Sequence, residues 1–267
     1  MRATRFLTAA CVAWCLGRGT PAHDTWLLAR APSSGELPRV VILDLTSGMA
    51  FPEVDHAVRR DRVATAGVRL NGRTTEVMDL ASEERSLVVR ARMDVPGVAA
   101  IWVQLKPKPI ELTPAQVGQY FEEIGTAKGI RKQWAATPEP KRWRETYVKH
   151  AKTFVRTGEG GAPSAWADPV GLGFELVPER DPTRLRAGDK LRVRLLLQGS
   201  PVPGLTVGIV GDGDAHGLLR TTDEAGRATF RLARSGRWLL RATYLRRSPT
   251  EEGDWESDFT TLTVEAR

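Results

Sequence analysis

Leu191-Arg192-Val193-Arg194-Leu195-Leu196-Leu197 sets Leu191, Val193, Leu195 and Leu197 against Arg192 and Arg194. Apolar side chains at every second position put one face of an extended strand into a core and the other into solvent. The same period continues downstream. Pro203-Gly204 turns into Leu205, Val207 and Ile209, and Thr222 to Arg227 is a turn before Ala228, Phe230 and Leu232. Ser235-Gly236 precedes Trp238, Leu240, Ala242 and Tyr244, and a last strand runs from Phe259 to Val264. Short strands at this spacing, separated by turn residues, predict an immunoglobulin-like or transthyretin-like sandwich over 167–267.

Working upstream, Thr157 to Pro169 is rich in Gly, Ala, Ser and Pro and reads as a linker. Lys141 to Phe154 reads as a helix, because Trp143, Tyr147, Ala151 and Phe154 are spaced by four, four and three. Gly129 to Pro140 is a basic, turn-prone connector. Thr113-Pro114 supplies an N-cap with proline at the first helical position, and Val117, Tyr120, Phe121 and Ile124 follow at helical spacing until Gly125. Before that, residues 25–112 carry β-prone runs at Trp26 to Leu28, Val40 to Leu43, Val63 to Leu70, Leu87 to Val89 and Val98 to Leu105. Asn71-Gly72, between Leu70 and Thr74, is a hairpin signal. The expected fold class is mainly β: two immunoglobulin-like antiparallel β-sandwich domains, 23–112 and 167–267, joined by a short helical segment and linker over 113–166.

Arg2 and Arg5 lead into an apolar run from Phe6 to Leu16, and Thr20-Pro21-Ala22 places short side chains where a signal peptidase reads. Residues 1–22 are therefore expected to be a signal peptide cleaved after Ala22, making the mature protein periplasmic or secreted. Both cysteines, Cys11 and Cys15, fall inside that signal, so thiolate metal sites and cysteine nucleophiles are excluded from the mature chain. Lipidation at Cys11 is the poorer reading, because the apolar segment before it is very short. Removing Arg2, Arg5 and Arg18 lowers the formal charge from +7 to +4. The basic residues form no run with interleaved aromatics, which argues against nucleic acid as a partner. No later apolar run is long enough to span a membrane.

Several motifs recur in order: Ala22-His23-Asp24-x-Trp26, Gly48 with Phe51-Pro52, Trp143-Arg144-Glu145-Thr146-Tyr147 followed by Lys152, and Leu172-Gly173-Phe174-Glu175-Leu176-Val177-Pro178. Arg186-Ala187-Gly188-Asp189, Thr222-Asp223 with Gly226-Arg227, Gly236-x-Trp238 and Ser257-x-Phe259-x-Thr261-Leu262 complete the set. Together they resemble a bacterial periplasmic domain-of-unknown-function family once labelled NikM-like, a supposed periplasmic component of nickel and cobalt uptake. The resemblance implies an exported β-sandwich protein whose last domain is similar to carboxypeptidase regulatory-like modules. A membrane metal transporter or another envelope protein is the partner it implies.

The histidines are His23, His56, His150 and His216. None forms an HxH, HxxxH or HExxH pair, so any metal site must be assembled by folding. His23 is the special case. Cleavage after Ala22 would leave its α-amino group beside its own imidazole, and two such nitrogens with an imidazole from elsewhere suit Cu(II), or Ni(II) less well. His56 closes Glu53-Val54-Asp55-His56, an oxygen and nitrogen cluster in a loop, and His216 closes Gly211-Asp212-Gly213-Asp214-Ala215-His216. His23, His56 and His216 are thus the candidate ligands for copper, nickel or cobalt, while His150 is expected on an exposed helical face. Trp102 and Trp238 alternate with aliphatics and read as core. No GxSxG elbow, phosphate loop or dinucleotide fingerprint occurs. The expected function is non-enzymatic metal binding or delivery. An envelope interaction module is the alternative, and a copper oxidase with an N-terminal histidine chelate is a third reading.

Overall fold

The computed structural model describes residues 24–30, 36–162, 164–214, 217–250 and 254–267. The expected signal peptide, with His23, lies outside the described residues, and so does His216. The first nine strands are β1 (Asp24–Ala29), β2 (Arg39–Gly48), β3 (His56–Ala57), β4 (Val63–Leu70), β5 (Arg73–Glu76), β6 (Asp79–Ser82), β7 (Leu87–Met93), β8 (Gly97–Leu105) and β9 (Lys108–Leu112). Helices α1 (Pro114–Glu123) and α2 (Lys128–Ala135) precede the fifteen-residue strand β10 (Trp143–Thr157). Then come β11 (Phe174–Pro178), β12 (Lys190–Leu197), β13 (Ser200–Pro201), β14 (Thr206–Gly211), β15 (Leu218–Thr221), β16 (Arg227–Arg231), β17 (Gly236–Arg247) and β18 (Trp255–Ala266).

The fold is mainly β, as the alternating patterns predict. The central sheet runs β15-β14-β17-β18-β10-β8-β4-β5, with β9 also on β10. The sheet β1-β2-β7-β6, with β3 on β2, covers one end of it. Leu43, Leu45 and Val89 of that covering sheet meet Ile101, Val103 and Ala151 of the central one. At the other end β11-β12-β13, with β16, packs Phe174, Leu191, Val193 and Leu195 against Ile209, Leu240 and Leu262. Burying two such apolar faces against a shared sheet is the main drive to this architecture.

Two local expectations are met in detail. Asn71 and Gly72 adopt φ of 51° and 82° between β4 and β5, the left-handed pair that a two-residue hairpin demands. Thr113 caps α1 in a capping box with Gln116, and Val117, Tyr120 and Phe121 are its buried face.

The segment Lys141–Phe154 is not a helix. It is most of β10, hydrogen-bonded in parallel to β18 from Glu145↔Trp255 to Thr153↔Thr263 and antiparallel to β8 from His150↔Gln104 to Thr157↔Gly97. A spacing of four satisfies a period of two as well as one of 3.6, so Trp143, Tyr147 and Ala151 share a strand face equally well. Thr146, Val148, Thr153 and Val155 supply the β-branched content that favours the strand. The connector Gly129–Pro140 is also corrected: its first seven residues belong to α2, whose Trp134 packs edge-on against Trp143 with ring centroids 5.4 Å apart.

Candidate functional site

Asp24 opens β1 opposite Gly48, and Thr25 and His56 flank Ser47 from the two sides of β2. Hydroxyls lock this corner. Thr46, fully buried, shares its one hydroxyl proton between the carbonyls of His56 (3.1 Å) and Arg85 (3.0 Å) and accepts from the Asp55 amide at 3.1 Å. The Thr25 and Ser47 hydroxyls bond one another at 2.7 Å, and Thr261 of β18 donates to the Thr25 carbonyl. The Asp55–His56 turn is therefore tied to β2 at Thr46, and β2 to the start of β1 at Ser47.

His56 has 64% of its side chain exposed, and its Nδ1 lies 2.9 Å from Asp55 Oδ2. A carboxylate on one ring nitrogen fixes the tautomer that presents the other nitrogen to a metal. On the opposite flank Asp24 pairs with Arg241 of β17. Beneath it lies Lys149 of β10, buried over the rings of Tyr147 and Phe259 at 5.3 and 5.5 Å. Burial lowers its pKa to about 8, against the opposing pull of Asp24.

A cleft of about 390 Å³ opens beside Asp24, lined also by Trp26, Phe51, Glu123, Leu219 and Arg241. Asp214 and Gly217, the described residues on either side of 215–216, line it too. Among the described residues no group of three or more His, Cys, Asp and Glu is close enough to hold a metal ion. His56 is thus the one predicted ligand whose placement is described, and the other two are approached only through their chain neighbours.

His150 is placed differently from expectation. It lies on β10, 2% exposed, and its Nδ1 donates to the Phe259 carbonyl at 3.0 Å. Burial lowers its pKa, with the Phe259 bond, Asp258 and Glu175 opposing. The folded state therefore binds this proton less readily than the unfolded chain does, and stability is lost as pH falls below the unfolded value near 6.5. Urea titrations at pH 7.5 and 5.0 should show a smaller acid loss for His150→Gln than for wild type; an equal loss would assign the acid sensitivity to other groups.

Sequence reasoning missed Arg241, Glu123 and Lys149. Arg241 is the polar residue between Leu240 and Ala242 in an alternating strand and carries no further signal. Lys149 falls in the stretch read as a helix. Trp143, Glu145 and Lys152, all in the recurring motifs, prove to be buried and bonded internally. Glu145 accepts from Trp143 Nε1 (2.8 Å), Tyr120 Oη (3.2 Å) and Ser257, while Lys152 pairs with Glu175.

A family model described as a domain of unknown function (DUF4198) matches residues 20–246. The chain belongs to this family. The match to DUF4198 takes in the cleft lining and the strands of the central sheet other than β18. No curated protein matches the sequence significantly. Among solved structures, the D0-D1 domain of Intimin is similar over 91% of this chain and 97% of that chain. Its identity is 13% and its TM-score 0.24, values too low to bear on this chain's architecture or function. No helix among the described residues of this DUF4198 protein is long and apolar enough to cross a membrane.

Proposed function

We propose that this DUF4198 protein is exported and binds a transition-metal ion, copper, nickel or cobalt, at the corner where β1 begins, for storage or for delivery to a membrane transporter. The observation that carries the reading is the β1–β2–β3 register. It sets His56 across β2 from Thr25, two residues beyond His23. Adjacent strands lie about 4.8 Å apart, so the two backbones flanking β2 are separated by about 10 Å, a span that imidazoles reaching from each side can close. The Asp55 carboxylate 2.9 Å from His56 Nδ1 supports the same reading, because a carboxylate beside a ring nitrogen orients an imidazole for metal binding.

In this reading the α-amino group and imidazole of His23 supply two ligands after cleavage at Ala22, and His56 supplies a third. His216 is a further candidate, since Asp214 and Gly217 line the cleft beside Asp24. Three nitrogen donors favour Cu(II) over Ni(II) and Co(II). The resemblance of the motifs to a NikM-like family points to the same class of late first-row metal. Nothing in the proposal requires a catalytic step.

Titration of the mature protein with Cu(II) and Ni(II) by calorimetry tests it. One equivalent is expected, weakened at least about tenfold in His56→Ala and lost when an extra residue precedes His23. An affinity indifferent to both changes, or no stoichiometric binding, rejects the metal reading.

A further inference from the structure

The cleft beside Asp24 has a chemistry distinct from that of the proposed metal corner. Its acidic groups are mostly spoken for: Asp24 pairs with Arg241, Glu122 with Arg131 at 2.8 Å, and Asp214 with Arg234 at 2.7 Å. Glu123, the last residue of α1, is the exception. Its Oε2 is shut off from solvent and has no hydrogen-bond partner; burial raises its pKa, with the charge of Arg241, already paired to Asp24, opposing. A carboxylate left partly desolvated and unpaired is costly unless a cation or donor joins it.

The remaining wall is apolar. Trp26 and Phe51 meet edge to face at 5.6 Å and form the floor with Val210. Leu219, 43% exposed, and Met49, 64% exposed, stand at the mouth. Trp26 is itself 1% exposed, yet its Nε1 lacks a hydrogen-bond partner. The volume of about 390 Å³ falls within the range of small-ligand sites, and such sites combine apolar walls with a few placed polar groups. A bare divalent metal would need more than one unpaired anionic or imidazole ligand here. A single unpaired carboxylate facing aromatic and aliphatic walls matches a monovalent cation on an apolar body.

We infer that this cleft binds a small organic amine, its ammonium on Glu123 and its apolar body against Phe51, Val210 and Leu219. The site adjoins the metal corner at Asp24 and takes its ligand without a metal ion. It accounts both for a carboxylate without a partner at the end of α1 and for exposed Met49 and Leu219 on the same opening.

Phenethylamine and its neutral isostere 2-phenylethanol, titrated by calorimetry into the full mature protein in the presence of EDTA, separate the charge from the apolar body. The amine should bind at least about tenfold tighter, the contribution expected of one charge-assisted hydrogen bond. Glu123→Gln should abolish that preference, with its urea midpoint showing that it is folded. Leu219→Ala, on exposed strand β15, should weaken both probes. Absence of saturable amine binding, a preference that survives Glu123→Gln, or indifference of both probes to Leu219→Ala would overturn the assignment.

Discussion

Replacing Lys152 with alanine is expected to lower the unfolding free energy by about 3–5 kcal/mol, read as a drop in urea midpoint at unchanged slope. The Lys152 and Glu175 side chains are 2% and 1% exposed, and their charged atoms lie 2.5 Å apart. Glu175 also accepts the amides of Val170 (2.9 Å), Gly171 (3.1 Å) and Leu172 (3.2 Å). Removing the ammonium leaves a carboxylate buried with neutral donors only, and the cost of that uncompensated charge dominates the effect. A double variant, Lys152→Met with Glu175→Gln, removes both charges while keeping an acceptor for the loop, and should recover at least half of the loss. A loss below about 1 kcal/mol in Lys152→Ala would place the pair in the range of solvated ion pairs. The pair ties β10 to β11 and to the segment before it, so the variant should also raise proteolysis within 158–172.

Trp143→Ala should cost a similar amount, about 3–5 kcal/mol. Its indole stacks on Trp255 at 4.4 Å with planes 12° apart, and meets Phe121 and Trp134 edge-on at 5.4 Å each. Truncation opens a cavity under both helices and removes the Nε1 donor from Glu145, a carboxyl whose pKa burial already raises. Trp143→Phe keeps much of the volume and loses that donor, so about 1–2 kcal/mol is expected. Equal losses for the two variants would show that the hydrogen bond, and not the packing, carries the contribution. Urea denaturation followed by far-ultraviolet circular dichroism measures both without relying on tryptophan fluorescence.

Legibility varied with the range of the interaction. The N-cap at Thr113, the Asn71-Gly72 turn and the alternation in β12 and β14 are written within a few residues, and each formed as read. Trp102 and Trp238 are buried, as their aliphatic neighbours predict. The helix expected at Lys141–Phe154 failed because a four-residue spacing fits two periods, and the deciding partners, β8 and β18, lie far away in sequence. The same failure put His150 on an exposed face, when it is buried between those partners.

The candidate site was legible only in part. His56 and Asp55 are neighbours in the chain, so their pairing was open to view; their position beside the start of β1 depends on the register of three strands. Glu123 and Arg241 look like ordinary surface residues of a helix end and an amphipathic strand. What the sequence alone determined was the β class, the turns and caps, and the residue types available to bind a cation, because these follow from local periodicity and chemistry. What only the tertiary structure decided was the route of β10 through the central sheet and the meeting of α1, β1, β15 and β17 at one cleft. Strand pairing and desolvation arise between segments distant in sequence, and no local pattern encodes which segments will meet.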